Sequence, residues 1–258
     1  MRRLIVALVI ASSATARAHV APSMDDNNRY LKLTPLGDRV RLAYTVYLGE
    51  RPGEAARREI DANHDGTIGD DEAHAFGAKL GEQVRAGLAI TVDGATSPVA
   101  WATVDVGLGT PSTRAGSFSV DLIAWLCLPT AGGAHTIVVK DAFAMPRPGE
   151  TELRVEDTPG VHVDVARLGM IDLIDLDARW QGAGGPLATT GFTLGFTAGE
   201  KAPIPKDGRC TETIRAAAKT SSRLWIWIVL GSALALSSVS ALLVYRSRSR
   251  GRGRGRLL

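Results

Sequence analysis

RYLKLTPLGDRVRLAYTVYLG, residues 29–49, reads as two strands folded about a turn. In its second half Val40, Leu42, Tyr44, Val46 and Leu48 alternate with Arg41, Ala43, Thr45 and Tyr47. That two-residue period sets one side of a strand against a core and the other toward water. Leu36-Gly37-Asp38 supplies the reversal, since glycine and aspartate suit tight turns. Further strand candidates follow at 88–93, with a turn at Asp93-Gly94, and at 98–106, 117–128, 135–140, 151–156, 161–168 and 189–197. Many short strands separated by Gly and Pro turns predict a mainly β, sandwich-like domain.

One stretch breaks this pattern. Residues 61–72 read DANHDGTIGDDE, which matches an EF-hand calcium loop at the demanding positions: Asp61, Asn63 and Asp65 at 1, 3 and 5, Gly66 at the sharp turn, and Glu72 at 12. Calcium takes six to eight oxygens, and alternate side chains present them as the backbone wraps the ion. Thr67 at position 7 would give its backbone carbonyl, and Gly69 at position 9, with no side chain, implies a bridging water. The competing reading is a solvated acidic turn. Ile68, at position 8, is where paired EF-hands make a short strand contact, yet no second DxNxDG-like run exists in the chain. Ile68 must therefore pack on the rest of the domain, meet another protomer, or stay partly exposed.

The flanks fit helices. Pro52 suits a first helical turn, Glu54 lies near the positive end, and Ala55, Ala56 and Ile60 follow at helical spacing. From Asp70 to Arg85, Ala73, Phe76, Leu80 and Val84 form one stripe. A helix–loop–helix at about 52–85 is thus expected as an insertion between the first hairpin and the remaining strands.

The chain ends carry targeting signals. MRRLIVALVIASSATARA, residues 1–18, has a basic tip, an apolar stretch and Ala16 and Ala18 flanking Arg17, the pattern of a secretory signal peptide. Leu224 to Tyr245 is uncharged and, at about 1.5 Å per residue, long enough to cross a bilayer core of roughly 30 Å as one transmembrane helix. Trp225, Trp227 and Tyr245 mark its ends, and a basic tail, RSRSRGRGRGR, follows within residues 246–258. Residues 19–197 then form an exported domain, periplasmic or on the cell surface, 198–223 a polar linker, and 224–245 the single membrane span. The alternative is a C-terminal sorting signal that is processed.

Charge narrows the partners. The signal peptide and tail hold nine arginines and no acids, so of 30 Lys+Arg and 27 Asp+Glu in the chain the exported part keeps 21 and 27, a net of −6. An acidic exported domain argues against nucleic acid and suits divalent cations. The tail arginines read as an anchor near anionic headgroups. The only two cysteines, Cys127 and Cys210, both fall in the exported part, where a disulfide is favoured over two free thiols. Closing so long a loop stabilises by up to ~4 kcal/mol in the chain-entropy model.

No G-x-S-x-G elbow, HExxH or P-loop occurs in the sequence, so no enzyme is expected. Asp172, Asp175 and Asp177, within MIDLIDLDARW, could hold two catalytic carboxylates but read as readily as a solvated strand or turn. His162 alternates with Val161, Val163 and Val165 and so belongs on an outer strand face, while His135 reads as an ordinary strand residue. His64 stands at a non-ligand loop position and His74 just beyond the loop. After cleavage His19 would be N-terminal and offer an α-amino group and an imidazole to copper or nickel.

In order, the signal peptide, His19, NRY (28–30), LTPLGDRVRLAYTVYLGERP (33–52), the acidic loop, LAITVDG (88–94) and KDAFAMPRPGETELRV (140–155) line up over residues 19–168. This order resembles the exported domain that precedes the membrane part of bacterial nickel/cobalt-type transporters. The resemblance implies a metal-related envelope role beside an envelope protein or transporter. The chain departs from it in having one span and no His-rich loop, so transport itself is not implied. The expectation is a calcium-binding, membrane-anchored envelope protein with a structural or interaction role; the alternative is an accessory nickel, cobalt or copper module.

Overall fold

The computed structural model describes residues 25–211 and 213. The expected signal peptide, His19, the distal linker, the span at 224–245 and the tail at 246–258 lie outside the described residues. Among the described residues no helix is long and apolar enough to cross a membrane.

In chain order the elements are β1 (Asn27–Pro35), β2 (Arg39–Leu48), α1 (Glu50–Ile60), α2 (Asp70–Gly87), β3 (Leu88–Val92), β4 (Ala95–Thr96), β5 (Trp101–Gly107), β6 (Phe118–Cys127), β7 (Gly133–Asp141), β8 (Pro148–Val155), β9 (Val161–Leu168), β10 (Ile171–Asp172), β11 (Asp177–Gln181), α3 (Gly185–Thr189) and β12 (Phe192–Ala198). The protein is mainly β. One six-stranded sheet runs β11-β8-β1-β2-β6-β5 and a second runs β10-β9-β12-β7-β3-β4. The predicted hairpin is present, in antiparallel register from Asn27↔Leu48 to Pro35↔Val40. Its alternation has the physical consequence expected of it: Val40, Leu42, Tyr44 and Val46 are buried. They join Leu122 and Leu126 of the same sheet and Ile90, Ile137, Phe192 and Phe196 of the other in one hydrophobic core.

β2 and β3 are consecutive strands of different sheets, so α1, the loop and α2 carry the chain from one sheet to the other. α2 approaches β5 closely: a Cβ on Gly77 would stand 2.8 Å from Val106 Cγ2 and 2.9 Å from Val104 Cγ1. The Trp101 indole N–H donates to the Gly81 carbonyl at 2.8 Å. Of the expected apolar stripe, Leu80 and Val84 are buried, and Gly77 and Gly81 complete the packed face. Two glycines are what let a helix rest on a strand at this range.

Four differences from the pattern-based reading stand out. β10 and β4 are two-residue strands, too short to show a period. MIDLIDLDARW crosses between the sheets, with β10 on the second and β11 on the first. The strand expected at 189–197 begins later, at Phe192, because α3 ends at Thr189 and Gly191 takes φ +87°. Residues 199–210, within the stretch expected as linker, run back along the first hairpin. Gly37 N–H donates to Pro203 O at 2.9 Å, Arg39 holds Asp207 at 2.8 Å, and Cys210 is disulfide-bonded to Cys127.

A buried ion pair joins the sheets. Arg29 of β1 donates to Asp141 Oδ2 at 2.6 Å and to Phe143 O at 2.7 Å. The Tyr44 hydroxyl donates to the same Oδ2 at 2.8 Å, and Phe143 N–H donates to Oδ1 at 2.9 Å. Arg29 and Asp141 are 1% and 0% exposed. Burial raises the Asp141 carboxyl above its ordinary value against the pull of Arg29, and raises Tyr44 well above its own. Such a pair fixes geometry more than it adds stability, and removing one partner strands a buried charge. Asp141→Asn is therefore expected to destabilise the domain by about 3–5 kcal/mol in urea unfolding. The combined change Arg29→Met, Tyr44→Phe and Asp141→Leu, which also removes the hydroxyl that Asp141 accepts, should recover part of that loss.

Candidate metal centre

α1 ends where the loop begins: Asp61 N–H donates to Arg57 O at 3.2 Å, and the Asp61 side chain is 5% exposed. Its Oδ2 accepts the Gly66 N–H at 2.9 Å and its Oδ1 the Asp65 N–H at 3.2 Å. Asn63 Oδ1 accepts the same Asp65 N–H at 2.9 Å, and Asp65 Oδ1 accepts the Thr67 N–H at 2.8 Å. Asn63 Nδ2 donates to Asp65 Oδ2 at 3.1 Å. Glu72, in the first turn of α2, reaches both ends of the loop. Its Oε1 accepts from the N–H groups of Ala62 at 2.8 Å and Asn63 at 3.3 Å, and its Oε2 from Gly69 N–H at 2.9 Å. The structure thus brings Asp61, Asn63, Asp65 and Glu72 together around one loop, with Thr67 and Gly69 between them.

The sequence folds this way because each short polar side chain captures a backbone N–H two to five residues on, which curls the chain. Gly66 has φ +87° and nothing within 4 Å of an added Cβ, so the sharp turn there is a backbone requirement and not a packing one. Among the described residues no group of three or more His, Cys, Asp or Glu side chains is arranged to hold a metal. In the loop the carboxylates are turned onto backbone N–H groups. An EF-hand shell also draws on donors of other kinds, here an amide oxygen at Asn63, a carbonyl at Thr67 and water. The residue types and their order follow the EF-hand pattern.

Ile68 is 3% exposed and packs on the rest of the domain. Its N–H donates to Pro111 O at 2.8 Å, and Thr67 forms an antiparallel bridge with Ser112. Thr113 adds its N–H and its hydroxyl to Gly66 O, both at 3.2 Å.

Arg57, which the sequence reading passed over, holds this segment. Its side chain is 0% exposed, and its guanidinium donates to the carbonyls of Gly116 at 2.9 Å, Thr110 at 2.7 Å, Ser112 at 3.2 Å, Leu108 at 2.6 Å and Ser117 at 3.4 Å. It also lies 5.1 Å from the centroid of the Phe118 ring. Burial lowers its pKa from the ordinary guanidinium value, with Glu50 opposing the shift. The signal was present in the spacing: Gly53, Arg57 and Ile60 share the buried face of α1, of which the sequence reading marked only Ile60.

Between α1, α2 and residues 143–146 lies a groove of about 900 Å³, whose walls include Val46, Leu48, Ile60, Phe76 and Met145 and whose lining includes Glu72. His64 and His74 are exposed. His135 is buried on β7, with Nδ1 2.8 Å from Asp93 Oδ2 and Nε2 3.1 Å from Gly132 O. His162 is exposed on its strand. Asp172 pairs with Arg167 at 2.7 Å on the second sheet, while Asp177 begins β11 on the first. Asp172 and Asp177 thus belong to strands of different sheets.

Gly66→Ala is expected to cost about 1–2 kcal/mol through the left-handed backbone alone, measurable by thermal unfolding in the presence of a calcium chelator. An unchanged midpoint would show that the turn is not fixed as described. Set against known proteins, the chain matches no family model and no curated protein, and the functional reading rests on the geometry of the loop.

Proposed function

We propose that the chain is a calcium-binding, membrane-anchored protein of the cell envelope with a structural or interaction role. One ion is held by Asp61, Asn63, Asp65, the Thr67 carbonyl, a water beside Gly69 and a bidentate Glu72. The observation that carries this reading is the closure of the loop by Glu72, which meets backbone groups at residues 62, 63 and 69. Position 12 is where an EF-hand needs a carboxylate that spans the ion. In this reading the domain is a sandwich-like exported unit with an inserted EF-hand, carried on a single C-terminal membrane helix.

A single loop outside the cytosol belongs to the weak class, with Kd ~10⁻⁴ to 10⁻³ M. At that affinity calcium stabilises a fold or an interface instead of reporting cytosolic pulses. Glu72 also lines the groove between the helices, so a change in its ligation reaches the groove wall directly. The second reading is an accessory module for nickel, cobalt or copper, using His19 with His64 and His74; the exposure of His64 in the loop and His74 in α2 favours it.

Calorimetric titration of the protein purified without residues 1–18, so that His19 is its N-terminus, separates the two. Saturable one-site calcium binding that is lost in Glu72→Gln is the expected result. Absence of calcium binding, with nickel binding that depends on His19, would replace the first reading by the second.

A further inference from the structure

We propose that residues 108–117, joining β5 to β6, are the built-in partner of a single EF-hand loop, and that Arg57 is the positioning residue that holds them there. This inference rests on the calcium reading and assigns the part of the molecule that makes one loop sufficient.

EF-hand loops ordinarily pair through position 8, and the sequence contains no second loop. The strand contact is nonetheless made. Ile68 N–H donates to Pro111 O at 2.8 Å and Thr67 bridges Ser112 in antiparallel sense. The Ile68 N–H and the Thr67 carbonyl belong to one planar trans peptide, so they point in opposite directions. Anchoring that N–H on Pro111 therefore aims the Thr67 carbonyl away from residues 108–117. Thr67 O is the position 7 ligand. On the preceding peptide, Gly66 O is fixed by the N–H and hydroxyl of Thr113. Both peptides flanking Thr67 are thus set from outside the loop.

Residues 108–117 have little regular structure of their own to hold them in place, apart from the bridge at Ser112. Arg57 supplies what is missing by gathering five of their carbonyl oxygens on both sides of Pro111. Five N–H donors in a rigid planar fork can do this; the three donors of a lysine ammonium cannot. Arg57 also accepts the Asp61 N–H through its own carbonyl. One residue consequently sets both the entry to position 1 and the backstop behind position 7.

The test uses the full chain, with calcium calorimetry and hydrogen exchange read together on wild type, Arg57→Lys and Thr113→Pro. Arg57→Lys keeps the charge but loses the fork. Thr113→Pro, at a partly exposed loop position, removes both donors that meet Gly66 O, the backbone N–H and the hydroxyl, and Thr113 is the second residue of a turn closed by Ala115 N–H on Ser112 O, a position that suits proline. In wild type, calcium should slow exchange in residues 61–72 and 108–117 together. Each variant should bind calcium about tenfold more weakly, as loss of an outer partner of a metal ligand does, and calcium should no longer protect 108–117. If Arg57→Lys does not fold, Thr113→Pro decides alone. Folded variants with wild-type affinity and wild-type protection of 108–117 overturn the inference. A wild type that binds no calcium overturns instead the reading on which it rests.

Discussion

The buried pair of Arg29 and Asp141 is the constraint on which the arrangement turns. It joins β1 of one sheet to the end of β7 in the other, at the edge of the core where the helices arrive. Immediately beside it, Asn27 accepts the Gly49 N–H that precedes α1 at 3.3 Å and donates to Pro146 O at 2.7 Å. Ala142 N–H, next to Asp141, donates to the carbonyl of Gly87 at the end of α2 at 2.9 Å. The two ends of the helix–loop–helix are therefore referenced to one polar cluster. Burying a charge pair yields little net stability, but it permits few alternative geometries, and that restriction carries to the acidic loop at the far end of the two helices.

At that far end the same economy recurs with a cation and no carboxylate. Arg57 is satisfied by neutral carbonyls, and these draw an irregular connection against the loop. The glycines of α2 let the helix lie on β5, so the strand, the connection that follows it and the loop are joined by direct contacts. The disulfide and the Arg39–Asp207 pair fix the other end of the domain in a similar manner, fastening residues 199–210 to the first hairpin. The acidic loop is thus a fold element set on a rigid frame, and what it does chemically follows from where that frame places its oxygens.

Much of this was legible in the sequence. The two-residue period of 40–48 gave the hairpin and its buried face, because burial on one side leaves no other register. The loop spacing gave the curl around Asp61, Asn63, Asp65 and Glu72, because those hydrogen bonds are local. What was not legible depends on contacts far apart in the chain. Nothing in the pattern of residues 108–117 announces a strand contact to Thr67, and Arg57 looks solvated until its five acceptors, more than fifty residues away, are seen. Likewise NRY and KDAFAMPRPGETELRV were noted for a resemblance, and only the fold brings Arg29 of the first to Asp141 of the second. The crossing at 173–176 was obscured because β10, before it, has only two residues and carries no period.

The central claim is that the loop at residues 61–72 holds calcium, and anomalous diffraction from crystals grown with calcium, or with a lanthanide of similar size, tests it most directly. The account predicts one peak inside the loop at about 2.3–2.6 Å from oxygens of Asp61, Asn63, Asp65 and Glu72 and from the Thr67 carbonyl. A loop with no peak, its carboxylates still bonded to the backbone N–H groups of Ala62, Asp65, Gly66, Thr67 and Gly69, would contradict it.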